Sequence, residues 1–446
     1  MSRDEREAAA ALLEGLRARR SARAGAAERP AATIRASSAF DFARLSQSRE
    51  MAFGEAAAAA MGVSIPYYRV VEGPTGAVAH VEGAERLNFA SYDYLGLNRH
   101  PAVLAAAQEA VARYGVSCGA SRLVGGERPI HAALERGLAD LYGVEAAVAM
   151  VSGHATNVTT IGALVGREDL VVVDELAHNS ALEGARLSGA TRLTMPHNDL
   201  DWLERALTTE RPRRRRCLIV VEGLYSMDGD TPDLGRLVEL KSAFDAWLMV
   251  DEAHALGVLG ATGHGLAEAQ GVDPQAVEIW MGTLSKTLGA TGGYIAGSEA
   301  LIRLLKARAP GFVFSVGLPT PCAAAAAAAL GAMRAEPERV ARLRANGAAL
   351  KAALAARGLD IGLSEGLAVA PVVLGDSPTA AAAAHGCFER GLLAPPILHP
   401  AVPERRARLR LFATSEHTRD QIERAADIVA DAVAAAPGFV RRLTGS

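Results

Sequence analysis

The sequence is short of three things, and each shortage removes a class of protein. It has four cysteines in 446 residues, Cys118, Cys217, Cys322 and Cys387. No two stand at CxxC spacing, so neither a zinc ribbon nor a disulfide framework is indicated, and a reducing compartment fits. Long apolar runs are also missing. The most apolar stretch, Cys322 to Met333, is mostly alanine and too short to span a bilayer. The N-terminus, MSRDEREAAAALLEGLRARR, lacks the apolar core of a signal peptide. A cytoplasmic protein with no integral membrane segment is expected. The third absence is an excess of charge. Lys and Arg number 47 against 50 Asp and Glu, a net charge of −3, which argues against a protein built to wrap nucleic acid.

What is present is an α/β pattern. The length suits two or three lobes around a large core, and 44 glycines imply many tight turns. Residues 4–27 read as a helix with Leu12, Leu13 and Leu16 on one stripe. Residues 67–71 and 77–81 read as a small hairpin around the turn signal Glu72-Gly73-Pro74-Thr75-Gly76. Residues 1–97 thus form a helical arm and hairpin. From His100, apolar runs at 147–151, 170–174, 217–222, 247–251, 279–283 and 293–296 alternate with helix-period segments. This predicts a mostly parallel central sheet flanked by helices over 98–308. Residues 309–446 read as a smaller α+β lobe. It holds helices to Arg334 and over 338–357, strands near 369–374 and 409–412, and a last helix over 418–434.

In such sheets the carboxyl ends of the strands line the ligand crevice. Those ends carry Ser152-Gly153-His154, Asp174 with His178, Glu222-Gly223, Asp251-Glu252-Ala253-His254 and Thr283 with Lys286. Two fragments mislead: Asp251–His254 mimics a helicase DEAH box, and Thr283–Thr287 mimics a phosphate loop. A P-loop needs glycine directly before its lysine; here that residue is Ser285. A pyridoxal phosphate site explains the same residues better. That cofactor needs a lysine for a Schiff base and a carboxylate at its pyridine nitrogen, and Lys286 and Asp251 supply both after consecutive strands. Its phosphate needs N–H groups at a helix start, which Ser152-Gly153-His154 offers.

The chain resembles the α-oxoamine synthases, which share the aspartate-aminotransferase fold of pyridoxal 5′-phosphate enzymes. The resemblance spans roughly residues 65–435. It rests on ordered motifs: Asn88-Phe-Ala-Ser-Tyr-Asp-Tyr-Leu-Gly96, Ser152-Gly-His-Ala-Thr-Asn157, Asp174-Glu-Leu-Ala-His178-Asn-Ser180 and His197-Asn198-Asp199. These are followed by Glu222-Gly-Leu-Tyr-Ser226-Met-Asp-Gly-Asp230, Asp251-Glu-Ala-His254, Gly282-Thr-Leu-Ser-Lys286 and Arg408-Leu-Arg410. It implies that Lys286 holds the cofactor and shuttles the α-proton. Asp251 would pair with the pyridine nitrogen, His254 with the ring oxygen, and His178 would stack on the ring, with Ser226 beside it. Gly153, His154 and Thr283 would hold the phosphate, joined by Ser315 from the partner of a homodimer. Arg410 would clamp the amino-acid carboxylate, for which a bidentate guanidinium is suited. His154 departs from the usual Phe or Tyr. Tyr92 stands where some members bind substrate with Asn, and it resembles the serine palmitoyltransferase branch, as do 184–191 and 289–294.

The implied reaction is a decarboxylating Claisen-type condensation of an amino acid, here L-serine, with an acyl thioester of coenzyme A or an acyl carrier protein. Alanine and glycine stay open as the amino acid. An aminotransferase or aldolase would share Lys286 and Asp251, and a silent subunit of a heteromer is a further alternative. His131 and His264 read as structural or surface histidines, and Arg408 as a surface strand residue. The run Arg211-Pro-Arg-Arg-Arg-Arg216 reads as a solvated loop, with docking of an acidic carrier as the sharper option.

Overall fold

The computed structural model describes residues 42–60 and 62–444. The helix expected over 4–27 lies outside them. Residues 42–57 belong to one unit, holding a 3-10 turn (Phe42–Arg44) and most of a helix (Ser46–Ala60); the second unit begins at Ala58.

The second unit opens on a hairpin that differs from the expected one. Strands β1 (Val78–Val81) and β2 (Ala84–Asn88) pair antiparallel, with Val81 opposite Ala84. The two-residue turn between them has positive φ at both Glu82 and Gly83, the backbone that matches strand twist. The 67–71 stretch contributes a single bridge, Val71 to Val81. Gly73 and Gly76 turn the chain without a two-residue register, so the local signal at Glu82-Gly83 wins.

Seven strands form the main sheet: β3 (Ala146–Met150), β4 (Leu170–Asp174), β5 (Thr191–Met195), β6 (Cys217–Glu222), β7 (Trp247–Asp251), β8 (Ile279–Thr283) and β9 (Gly293–Gly297). Their order is β3-β9-β8-β7-β6-β4-β5, and β9 alone runs against the direction of the other six. The apolar runs are continuous because both faces are covered. In β6, Cys217, Ile219 and Val221 join one core cluster, while Leu218 and Val220 join the other. In β4, Leu170 and Val172 face the first, Val171 and Val173 the second. Strand β5 carries no continuous run: its Arg192 and Thr194 are exposed. It is an edge strand buried on one side, which is why its sequence gives no apolar signal.

The C-terminal part adds β10 (Val369–Gly375), β11 (Leu392–Leu393), β12 (Pro396–Ile397) and β13 (Ala407–Phe412), the last flanked by β10 and β12. Strand β11 pairs with β2, so the hairpin joins a sheet with C-terminal residues. The alanine-rich helix Thr320–Ala335 packs on the helices Pro101–Tyr114 and Pro129–Tyr142. Small side chains let the three helices approach closely. Among the described residues no helix is long and apolar enough to cross a membrane.

Candidate active site

Four parallel strands end at one place. Asp251 closes β7 and is buried; its Oδ2 accepts from Asn157 Nδ2 at 2.8 Å and its Oδ1 from the Ala253 N–H at 2.9 Å. Asn157 Nδ2 also donates to Ser180 Oγ at 2.9 Å, locking the amide between two elements. Glu222 closes β6 and accepts the His178 N–H at 2.6 Å and the Ser226 N–H at 3.3 Å. Burial first, and then the Asp251 charge, push the Glu222 carboxyl up to about 8. Lys286 follows β8. Burial pulls its amine down to about 8 against the opposing pull of Asp251 and Glu222, which brings the reactive neutral form into the physiological range.

The histidines stand around this group. His178 caps the helix Asn179–Ser188, with Nδ1 2.7 Å from Ser180 Oγ. Burial lowers its pKa. His254 is buried with Nδ1 2.6 Å from Tyr94 Oη, and burial, then the cations Lys286 and Arg410, hold it neutral well below the usual imidazole range. His154 is exposed on the first turn of the helix Gly153–Leu164, edge-on to His178 at 6.3 Å between ring centroids.

The start of that helix is a bare cradle. Ser152 Oγ accepts the Ala155 N–H at 3.1 Å. A Cβ on Gly153 would sit 3.0 Å from Thr283 Oγ1, and one on Gly293 would sit 2.9 Å from the Gly153 nitrogen. Glycine at both positions lets β9 and the Thr283 hydroxyl close on the helix N-terminus while leaving its N–H groups accessible to an anion.

Arg410 lies on β13 and is buried. Its Nη1 donates to Ser226 O at 3.3 Å and its Nη2 to Tyr92 Oη at 3.1 Å, while its Nε has no partner. A cavity of about 430 Å³ opens beside Lys286, lined by Tyr92, Asp93, Asn98, Thr291 and Cys322 among others. The site therefore holds a buried amine of lowered pKa, a carboxylate fixed by two donors, an anion cradle and a guanidinium with a spare donor.

A family model described as aminotransferase class I and II matches residues 84–429. The chain is 44% identical over 350 residues to the putative 8-amino-7-oxononanoate synthase of Phenylobacterium zucineum (strain HLK1), covering 78% of this chain and 88% of that one. It is also 44% identical over 363 residues to the 8-amino-7-oxononanoate synthase of Methylobacterium sp. (strain 4-46), covering 81% and 90%. Among solved structures, serine palmitoyltransferase from S. paucimobilis superposes with a TM-score of 0.85 at 28% identity, covering 89% of this chain and all of that one. The chain belongs to the α-oxoamine synthase family. The fold is the aminotransferase-like pyridoxal 5′-phosphate fold, and the synthase uses that cofactor to condense an amino acid with an acyl group. The donor set fits that cofactor: the glycine cradle would accept a phosphate, Asp251 would face a protonated ring nitrogen and Lys286 would bind the aldehyde.

The structure of the synthase brings together Lys286, Asp251, His178, His254, Ser226, Thr283, Gly153, Arg410 and Tyr92. Ser315 lies between the exposed Phe314 and Val316 and is not among the residues lining the Lys286 cavity. Asn157, Tyr94 and Glu222 also join the site, and only Glu222 carries a local signal, a carboxylate closing an apolar strand. Arg408 is not a surface residue. It is buried, with Nη1 2.8 Å from Asp228 Oδ1 and 2.7 Å from Met227 O. A strand in mid-sheet offers it no water, so it pairs with the loop that also meets Arg410. His131 is structural, its Nε2 2.7 Å from Leu318 O.

The arginine run is largely exposed, at Pro212, Arg213, Arg215 and Arg216, as a solvated loop would be, but its guanidiniums are also paired. Arg211 Nε donates to Phe244 O at 2.8 Å, Arg214 pairs with Glu210, Arg215 with Asp169, and Arg216 Nη1 donates to Leu164 O. It precedes β6, at the opposite end of the parallel strands from Lys286. These guanidiniums cap carbonyls and carboxylates that the turn would otherwise leave short of donors.

Proposed function

We propose that the synthase condenses L-alanine with the thioester of a seven-carbon dicarboxylic acid, carried on coenzyme A or an acyl carrier protein. The observation that supports this is the 44% identity to proteins named 8-amino-7-oxononanoate synthase. That product's name gives its precursors by carbon counting. The terminal methyl and the carbon bearing the amine are what alanine leaves after losing its carboxylate. The ketone carbon through the far carboxylate is a dicarboxylic acyl chain. The net reaction forms a carbon–carbon bond between the α-carbon and the acyl carbonyl carbon and releases the thiol and carbon dioxide.

When bound, pyridoxal phosphate supplies an electron sink for the α-carbon. The residues divide the remaining work. Arg410 binds the amino-acid carboxylate, with Tyr92 Oη holding the guanidinium in place. Lys286 Nζ removes the proton from the α-carbon and returns it. Asp251, steered by Asn157, would keep a proton on the ring nitrogen. His254 would bond the ring oxygen, His178 would cover the ring face and Ser226 would lie beside it. The Gly153 and His154 amides and the Thr283 hydroxyl would hold the phosphate, and Ser315 of the partner subunit would complete that site in a homodimer.

A second reading takes L-serine with a medium or long acyl thioester, giving a 3-keto amino alcohol. It is favoured by Tyr92, by segments 184–191 and 289–294, and by similarity to serine palmitoyltransferase structures at 28–29% identity. The higher identity to the other group puts alanine first. The deciding experiment incubates the holoenzyme with alanine, serine or glycine and a thioester panel, and identifies products by mass. The highest kcat/KM is expected with alanine and the dicarboxylic thioester. A higher kcat/KM with serine overturns that choice, and keto-acid formation without thiol release overturns the condensation itself. For the shared site, mixing Lys286→Ala with a bulky Ser315 variant should restore activity through hybrids; an active monomer on sedimentation refutes it.

A further inference from the structure

The His197-Asn198-Asp199 motif has no part in the chemistry above, yet it sits in an unusual setting. His197 Nδ1 lies 3.0 Å from Asp174 Oδ1, and its Nε2 lies 2.8 Å from Asp230 Oδ2. Asp174 is fully buried, and the ring of Tyr225 stands edge-on to the imidazole at 4.5 Å. A neutral imidazole has one N–H, so one of its nitrogens would turn a lone pair onto a carboxylate. Both contacts are attractive only when both nitrogens carry protons. Asn198 strengthens the cluster from a left-handed backbone (φ 54°): its N–H donates to Asp174 Oδ2 at 2.9 Å and its Nδ2 to Asp230 Oδ2 at 3.0 Å.

The two carboxylates belong to the two segments that flank the reacting groups. Asp174 Oδ1 accepts the Leu176 N–H at 2.8 Å and Asp174 O accepts the Ala177 N–H, which shapes the turn that delivers His178. Asp230 closes the loop from Tyr225, whose Ser226 carbonyl and Met227 sulfur accept from Arg410 Nη1 at 3.3 and 3.4 Å. We propose that His197, as an imidazolium bridging Asp174 and Asp230, is a positioning residue. It fixes the His178 turn against the loop that seats Arg410, and so sets the geometry in which the amino-acid carboxylate is held. Burial alone would lower the pKa of His197, but the two carboxylates outweigh it and raise the imidazole to about 10, so the bridge is charged wherever the enzyme works.

The inference rests on the carboxylate-clamp reading of Arg410, and the test separates the two. The dissociation constant of the amino acid that the wild-type holoenzyme turns over is read from the change in visible absorption of the bound cofactor. Arg410→Lys tests the clamp and His197→Gln tests the bridge. His197→Gln is expected to weaken amino-acid binding about 10- to 100-fold, the scale on which small misplacements of binding groups act, while cofactor content and thioester KM hold. A merely structural role would lower the fraction of active protein and leave the dissociation constant of the remainder unchanged. Asp230→Asn keeps the contact and drops one charge; it should shift binding in the same direction by less, and it decides alone if His197→Gln does not fold. Weakened binding in Arg410→Lys with wild-type binding in the folded bridge variants overturns the inference and leaves the clamp standing. Wild-type binding in Arg410→Lys overturns the clamp reading itself, and the inference with it.

Discussion

Arg410 Nη2 and Tyr92 Oη are hydrogen-bonded at 3.1 Å across 318 residues of sequence. The bond ties the carboxylate clamp proposed for β13 to the segment that rims the Lys286 cavity. The Arg410 guanidinium is thereby held at both Nη atoms, leaving the unpartnered Nε as a spare donor. Tyr92→Phe removes one partner of a charged donor at a part-exposed site. Amino-acid KM should rise about fivefold, roughly 1 kcal/mol, with little change in kcat. A steady-state comparison at saturating thioester checks it; an equal fall in kcat would place Tyr92 in the chemical step instead.

The lowered Lys286 pKa has a direct pH signature. Only the neutral amine captures the cofactor aldehyde. The capture rate of cofactor-free enzyme should therefore climb with pH and level off above about 8, rather than above the ordinary lysine value of 10.5. Glu222 titrates near the same pH, so the midpoint belongs to the pair. Because the Glu222 charge raises Lys286, Glu222→Gln should move the midpoint lower. Stopped-flow absorbance across pH reads both, and a wild-type midpoint near 10.5 would refute the assignment.

Asn157 is a handle on Asp251. Replacing it with alanine takes one of the two donors from a buried carboxylate, at a cost of about 1–2 kcal/mol. The cofactor dissociation constant should rise about tenfold, with the acyl-thioester KM unaffected. Equilibrium titration of the apoprotein with pyridoxal phosphate measures it. Unchanged affinity would mean that Asp251 needs no steering.

The arginine run should behave as a structural cap. Arg211→Ala leaves the Phe244, Asp245 and Arg214 carbonyls without their shared donor. A drop of about 1–2 kcal/mol in unfolding free energy is expected, with the same KM for carrier-linked and small thioesters. A KM rise confined to the carrier-linked donor, shrinking with salt, would instead mark a docking surface.

The strands of the sheet, and the lysine and aspartate at the ends of two of them, could be read from the sequence because their signals are local. An apolar run covered on both faces has no polar interruptions, and Asp251 closes one such run while Lys286 follows the next by three residues. Edge strand β5 escaped because one face meets water. The remaining site depended on contacts between residues far apart in sequence. Asn157 meets Asp251 across 94 residues, and Tyr94 meets His254 across 160. Chain reversal, not composition, decides such pairings. Arg408 shows the same limit in reverse. A charge in a sequence looks solvated until the fold supplies carbonyls and carboxylates to surround it. The sequence by itself determined which chemistry the strand ends bear. Tertiary structure decided the protonation of Lys286, Glu222, His254 and His197, because a charge state depends on how much water burial removes and on which opposite charges replace it.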